Sequence, residues 1–297
     1  MEKNSQEQKT GFFAIVGKPN AGKSSLLNSL VGQKVSIVSY KPQTTRNKIM
    51  GIWSDGGVQL VFLDTPGFIR PDNLLSEYMH KEISLATEYV DGIIFVVDCT
   101  RGIDDKLASK LAQYDKSKLI VALNKIDEGD YQKVYPLIDK VKSIVPNAEI
   151  VPISAKTHQN IDVILRACTQ LAPVGVHHFE DTQVTDKSMR FLASEIVREK
   201  ILLYYEDEIP HGISVVVTSF VEKPTAVVID AEIVCIKDSH KPIIIGHNGD
   251  GIKKIGTEAR RELKTIVGKS VSLQLFVKVR KDWKDNQNHM GDFGYVH

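Results

Sequence analysis

The stretch Gly17-Lys18-Pro19-Asn20-Ala21-Gly22-Lys23-Ser24 constrains this chain more than any other. Its spacing is G-x-x-x-x-G-K-[ST], that of a phosphate-binding loop. The apolar run Phe12-Phe13-Ala14-Ile15-Val16 before it reads as a buried strand, and Leu26, Leu27, Leu30 and Val31 after it share one helical face. Strand, glycine-rich loop and helix form the context that the spacing requires. Glycines let the backbone curl so that several N–H groups point at a β-phosphate, at the positive end of the helix dipole. Lys23 adds a point charge for the β- and γ-phosphates, where the sequence places no other basic side chain, and Ser24 offers a hydroxyl to Mg²⁺. The loop alone leaves ATP and GTP both open.

At 297 residues the chain should hold about two domains. Hydrophobic residues at 42% and charged residues at 25% are those of a soluble globular protein, which excludes disordered and membrane-spanning classes. The first ten residues are polar and resemble no signal peptide, and no apolar run approaches the ~18 residues of a membrane span, so a cytoplasmic protein is expected. Cys99, Cys168 and Cys235 lie far apart and read as reduced, buried thiols. His177-His178 has no second pair at ligand spacing, which argues against a transition metal.

Along the chain, residues 33–47 read as a loop carrying Pro42-Gln43-Thr44-Thr45-Arg46. Two strand-like runs, 48–53 and 58–63, flank the hairpin signal Asp55-Gly56-Gly57, and Asp64-Thr65-Pro66-Gly67 follows. Three further strands, 93–97, 119–123 and 149–153, alternate with helical patterns; the last two end in Asn124-Lys125-Ile126-Asp127 and Ser154-Ala155-Lys156. Strands alternating with helices predict an α/β fold with a mostly parallel sheet covered on both faces, one antiparallel edge hairpin, and the polar clusters at the strands' C-terminal ends, where such sheets bind ligands. The first domain is expected over residues 1–173, a linker over 174–188, and an α+β domain of order helix, strand, strand, helix, helix, strand over 189–297.

Asn124-Lys125-Ile126-Asp127 decides the base. The Asp127 carboxylate can accept two hydrogen bonds, from guanine N1–H and the 2-amino group, whereas adenine would leave it buried and unpaired; such a site discriminates by ~10⁴-fold. Asn124 would anchor the loop, the Lys125 stem would cover the ring, and Ser154-Ala155-Lys156 would present a backbone N–H to O6. At the phosphate end Asp64 would hold a Mg²⁺-bound water, the Gly67 N–H would meet the γ-phosphate, and Thr45 or Thr44 would add a hydroxyl to Mg²⁺ from a mobile loop. Phe68 stands where a Ras-like protein carries its water-orienting glutamine, so slow intrinsic hydrolysis is expected.

Phosphate loop, Pro-Gln-Thr-Thr-Arg, Asp-Thr-Pro-Gly, Asn-Lys-x-Asp and Ser-Ala-Lys together resemble the Era family of ribosome-assembly GTPases. The run from Arg198-Glu199-Lys200 to Glu208-Ile209-Pro210 and the ending Phe293-Gly294-Tyr295 are similar to the same family, so the likeness covers nearly the whole chain. In the second domain Gly246-His247-Asn248-Gly249 lies between the strand-like Ile243-Ile244-Ile245 and a helix through Ile252-Lys253-Lys254-Ile255. This resembles a prokaryotic-type KH domain, whose GxxG loop clamps about four single-stranded nucleotides. Lys241, Lys253, Lys254, Arg260, Arg261, Lys264, Lys269, Lys278, Arg280, Lys281 and Lys284 add a basic face with few acids among them in sequence. The family usually has a basic residue between those glycines. Here His247-Asn248 predict either a weaker, pH-sensitive loop or a basic load moved to Lys253 and Lys254. The resemblance implies GTP and GDP with Mg²⁺, the 3′ end of small-subunit ribosomal RNA as target, the small subunit as partner, a monomer, and peripheral contact with the inner face of the membrane. It also makes Asn20 either a ligand of a potassium ion or an ordinary loop hydrogen bonder. The rival class is an RNA-binding module gated by GTP with negligible turnover.

Overall fold

A computed structural model describes residues 7–68, 70–114, 118–128 and 131–295. Contacts divide the chain into two compact units. One takes the described residues up to Arg70 and Met79–Asp186; the other takes Pro71–Tyr78 and the residues from Lys187 onward.

The first unit runs β1 (Lys9–Gly17), α1 (Lys23–Val31), β2 (Ile49–Asp55), β3 (Val58–Asp64), α2 (Leu74–Glu88, its start in the second unit), β4 (Gly92–Asp98), α3 (Asp105–Ala112), β5 (Leu119–Asn124), α4 (Tyr131–Ile144), β6 (Glu149–Pro152) and α5 (Ile161–Leu171). The strand order is β2-β3-β1-β4-β5-β6. Only the β2–β3 pair is antiparallel, joined through Gly56-Gly57 with φ of 55° and 85°, as a tight hairpin demands. β4 is buried at every position, the continuous apolar pattern of a parallel strand covered on both faces. One face packs Val16, Phe95, Val97, Val121 and Leu123 against Leu107, Leu111, Leu137 and Val141. The order reverses at β1, with β3 on one side and β4 on the other, so the crevice at the C-terminal edge opens beside the phosphate loop. Asp64, Asp98 and Asn124 each end a strand on that edge.

Residues 174–186, expected within a linker, form part of this unit. The Ile52 N–H donates to the Val184 carbonyl at 2.9 Å and the Thr185 hydroxyl to the Met50 carbonyl at 2.6 Å. The buried Gln59 side chain accepts from the His178 and Phe179 amides at 2.8 and 3.0 Å and returns a bond to the Phe179 carbonyl at 2.9 Å. β2 is an edge strand with unpaired backbone groups, and this segment covers them.

The second unit runs α6 (Met189–Tyr204), β7 (Ile213–Glu222), β8 (Ala226–Cys235), α7 (His240–Ile245), α8 (Asp250–Val267), β9 (Ser270–Val279) and α9 (Gln287–Asp292). β7 and β8 are antiparallel, and β8 and β9 parallel. Two sequence expectations need correction. The run through Ile243-Ile244-Ile245 is helical: Ile244 is fully buried while Ile243 is half exposed, and Pro242 falls in the first turn, where no helical N–H is needed. The two helices expected after the glycines are one, α8, which buries Ile255, Ala259 and Leu263 at four-residue intervals. The order helix, strand, strand, helix, helix, strand therefore stands with its helices differently divided. Arg198 and Lys200 are buried ion-pair members: Arg198 grips Glu195 with two bonds of 2.8 and 2.6 Å, and Lys200 meets Glu199 at 2.8 Å.

Candidate functional site

A cleft of about 450 Å³ is lined at once by Pro19, Asn20, Gly22, Lys23, Ser24, Thr44, Thr45 and Gly67 and by Asn124, Lys125, Asp127, Ala155 and Lys156. Residues from five separate segments are thus brought to one place.

At the phosphate end the Lys23 ammonium is buried and held by the Gly17 and Lys18 carbonyls at 3.2 and 3.0 Å. Burial pulls its pKa down to about 8 against the opposing pull of Asp64. The Asp64 carboxylate is fully buried. Its Oδ2 accepts from Ser24 at 2.6 Å, Ser36 at 3.1 Å and Thr45 at 3.5 Å, and the Ser24 and Thr45 hydroxyls lie 2.8 Å apart. Its Oδ1 has no hydrogen-bond partner among the described residues. Burial pushes the Asp64 pKa up, opposed by Lys23 and by the Ser24, Ser36 and Thr45 hydroxyls. Two hydroxyls around a carboxylate with one unpaired oxygen are the all-oxygen set of a hard cation, so these residues fit Mg²⁺. The Thr44 hydroxyl is spent on the Lys41 carbonyl at 2.6 Å and on Ser39 at 2.8 Å, which leaves Thr45 as the threonine beside Ser24.

The neighbouring residues hold this end together. A Cβ on Gly67 would lie 2.6 Å from the Pro19 nitrogen, so that loop touches the phosphate loop only as glycine. The buried Thr65 hydroxyl donates to the Ile15 carbonyl at 2.8 Å and is a staple beside the buried Pro66. The Phe68 N–H donates to the Gly17 carbonyl at 3.3 Å, while its ring packs 5.9 Å from that of Phe95. The Asn20 amide donates to the Tyr40 carbonyl. Lys18 is directed to Asp104 at 2.5 Å on the surface.

At the base end the Asn124 amide donates to the Ala21 carbonyl at 2.9 Å, tying the two loops together; a Cβ on Gly22 would strike that amide at 2.2 Å. Asp127 accepts from the Ser154 hydroxyl at 2.6 Å, and the exposed Lys156 ammonium is 3.9 Å from it. The Ala155 N–H donates to Asn124 Oδ1 at 3.0 Å, so it is already engaged before any base arrives.

In the second unit Gly246 (φ 76°), Asn248 (φ 50°) and Gly249 (φ 82°) turn the chain into α8, with His247 and Asn248 exposed. A Cβ on Gly246 would fall 2.6 Å from the Gly251 nitrogen. Beside this loop a groove of about 230 Å³ has Ile252, Gly256, Leu273 and Leu275 as its apolar lining, with Lys253 and Arg260 as cations. The Lys254 ammonium sits 4.0 Å over the Tyr204 ring. Several of the expected basic residues are in ion pairs: Lys269 with Glu222 (2.6 Å), Lys278 with Glu232 (2.5 Å), Arg280 with Asp292 (3.0 Å), Lys281 with Asp238 (3.0 Å), and Arg261 with Glu258.

The "50S ribosome-binding GTPase" family model matches residues 12–125, and the "KH domain" model matches residues 208–284. The chain is 42% identical to GTPase Era of Clostridioides difficile over 97% of this chain and 98% of that one. It is 42% identical to GTPase Era of Pseudomonas putida over 96% of each. The chain belongs to the GTPase Era family. Two solved Era structures, each 39% identical with a TM-score of 0.93, match 98% of this chain and all of theirs. One is an Aquifex aeolicus Era variant bound to GDP·AlF4⁻, and the other is an Era complex with MgGDPNP and nucleotides 1506–1542 of 16S ribosomal RNA.

For an Era-type site, sequence reasoning missed three contributors. Asp98 Oδ2 takes the Lys125 ammonium at 2.6 Å, and its Oδ1 takes the Thr100 amide and hydroxyl at 2.9 and 2.6 Å. Burial would raise the Asp98 pKa, but the hydrogen bonds from Lys125 and Thr100 outweigh it and hold it below the ordinary value. Ser29 on α1 meets His158 of the guanine-side loop at 2.6 Å. Lys41 lines the cleft and is 6% exposed, so Lys23 is not alone there. Lys41 lies within the polar loop already singled out; nothing local marks Asp98 or Ser29.

Proposed function

We propose that this chain is a GTP-hydrolysing, RNA-binding switch in small-subunit assembly and ribosomal RNA maturation. The observation that carries this is the single cleft in which the Asp127 carboxylate and the Ser24–Thr45–Asp64 oxygen cluster meet, in a chain with a KH unit. Asp127 reads guanine, Asn124 and Asp98 position the base-side loops, and Lys125 covers the ring. The phosphate loop from Gly17 to Ser24 cradles the phosphates, with Gly67 meeting the γ-phosphate. Ser24, Thr45 and Asp64 hold Mg²⁺, which when bound neutralises phosphate charge. The target is the 3′ end of small-subunit ribosomal RNA, gripped by Gly246–Gly249 with Lys253 and Arg260, and the related Era complex with nucleotides 1506–1542 of 16S ribosomal RNA supports an RNA of that subunit; the form that binds it better is the GTP form, which MgGDPNP imitates in that complex. A monomer in the cytoplasm does this work, and its contact with the inner membrane face is peripheral; among the described residues no helix is long and apolar enough to cross a membrane.

Phe68, packed on Phe95, cannot orient water, so the missing group comes from elsewhere. Asn20, whose amide N–H donates to the Tyr40 carbonyl, keeps its own side-chain oxygen to offer a potassium ion at the phosphates. Phosphate release should be faster in potassium than in sodium at equal ionic strength, and faster still with small subunits, and Asn20→Ala should erase the salt difference. No turnover under any of these conditions would leave the rival reading, a GTP-gated RNA clamp.

A further inference from the structure

The buried Asp64 carboxylate takes three hydroxyls on Oδ2, and only two of them belong to the cation set proposed above. Ser24 and Thr45 line the cleft. Ser36 is 1% exposed and lies outside that lining, so its hydroxyl is aimed at the carboxylate, 3.1 Å away, and not at the cleft.

Asn28 of α1 fixes where Ser36 lies. Its Oδ1 accepts from the Val35 and Ser36 amides, each at 2.9 Å, and its Nδ2 donates to the Ser36 carbonyl at 2.8 Å. Both acceptor positions of that side chain and one of its donors are thus spent on two adjacent residues. The helix that begins with Lys23 and Ser24 therefore carries Ser24 directly and Ser36 through Asn28. Asp64 ends β3 and is paired in register with Ile15 of β1, so the sheet fixes its backbone while Ser36 holds its side chain. Thr45 is placed differently. It rides on the polar loop, and loops of that kind are ordered by a γ-phosphate and released on its loss.

Metal-site carboxylates are aimed by the hydrogen bonds on their other oxygen. In Asp64 the oxygen with no hydrogen-bond partner among the described residues is Oδ1. We infer that Ser36, held by Asn28, is a positioning residue for the Mg²⁺ site: it grips Asp64 Oδ2, keeps Oδ1 for the cation, and does so whether or not Thr45 is in place. This rests on the reading of Ser24, Thr45 and Asp64 as the Mg²⁺ set.

The test follows the dissociation rate of a fluorescent GDP, and of a fluorescent GDPNP, from the full chain against free Mg²⁺. Ser36→Ala should raise the Mg²⁺ midpoint about 10-fold with either nucleotide, the low end for loss of such a partner because Ser24 still donates to Oδ2. With EDTA in place of Mg²⁺, GDP affinity should stay within about twofold, which shows that the variant folds and that the cation alone is lost. Asn28→Ala should raise the midpoint too, and that effect should vanish in the Ser36→Ala background. An unmoved midpoint in Ser36→Ala, a lowered one, an equal loss in EDTA, or an Asn28→Ala effect that simply adds would each overturn the assignment. An unmoved midpoint in Asp64→Asn would instead remove the reading on which it rests.

Discussion

Replacing Asp98 by asparagine should loosen guanine-nucleotide binding, although Asp98 acts only through its neighbour. Its carboxylate side chain is 7% exposed, and the Lys125 ammonium it holds at 2.6 Å belongs to a side chain 24% exposed. A charge-assisted hydrogen bond contributes about 1.5–3 kcal/mol when shielded. The partial exposure of Lys125 reduces that to about 1–2 kcal/mol. Arg101, 3.7 Å away and 69% exposed, adds little. If the clamp is what holds the Lys125 stem over the base, affinity should fall about 5- to 30-fold. Asparagine keeps the shape and can still accept from Thr100, so the loop should stay folded. The Asp98 pKa is depressed, so its contribution is present above the unfolded value of about 4 and is lost only as pH falls through the lower folded value. The effect should therefore be the same at pH 5 and pH 7. Stopped-flow dissociation of a fluorescent GDP measures it. In a double-mutant cycle the Asp98→Asn effect should vanish in a Lys125→Ala background. An Asp98→Asn off-rate equal to the unmutated one, with Lys125→Ala clearly faster, would refute the clamp.

Asp127→Asn should shift preference from guanine to xanthine nucleotides, because an amide can donate to a 2-carbonyl; unchanged selectivity in a competition assay would sink the base assignment. The Lys23 pKa of about 8 means that GDP binding without magnesium should take up a proton and weaken as pH rises above 8. Calorimetry at pH 8.5 in buffers of different ionisation enthalpy should detect that proton as observed heats that differ between buffers, and identical observed heats would contradict it. On RNA, Lys253→Ala should flatten the log–log salt dependence by up to ~0.7, the single-strand value per phosphate. Lys254→Ala should do less, since that ammonium sits on Tyr204; the reverse order would misplace the groove.

The lining of the cleft was readable because its residues cluster in short runs whose backbone does the positioning. Gly17–Ser24, Asp64–Gly67 and Asn124–Asp127 each follow a strand, and the sheet's order then brings the runs together. What stayed hidden depends on partners remote in sequence. Asp98 is an ordinary strand end until Lys125 folds onto it. The basic face looked larger because Glu222 and Glu232, on β7 and β8, come from outside the basic stretch to neutralise Lys269 and Lys278. The triple isoleucine of α7 has strand propensity, yet one side of it is buried at helical rather than alternating spacing. Residues 174–186 have no period because they run irregularly along an edge, with Phe179 packed on the core near Val61 and Leu63.

The central claim is that nucleotide state and RNA binding are one linked equilibrium. Titrating MgGDPNP and MgGDP into the full chain, with and without an RNA of the 16S 3′ end, tests it most directly. The account predicts that RNA raises GDPNP affinity more than GDP affinity, and that GDPNP raises RNA affinity by the same factor, as linkage demands. Identical nucleotide affinities with and without RNA would contradict it.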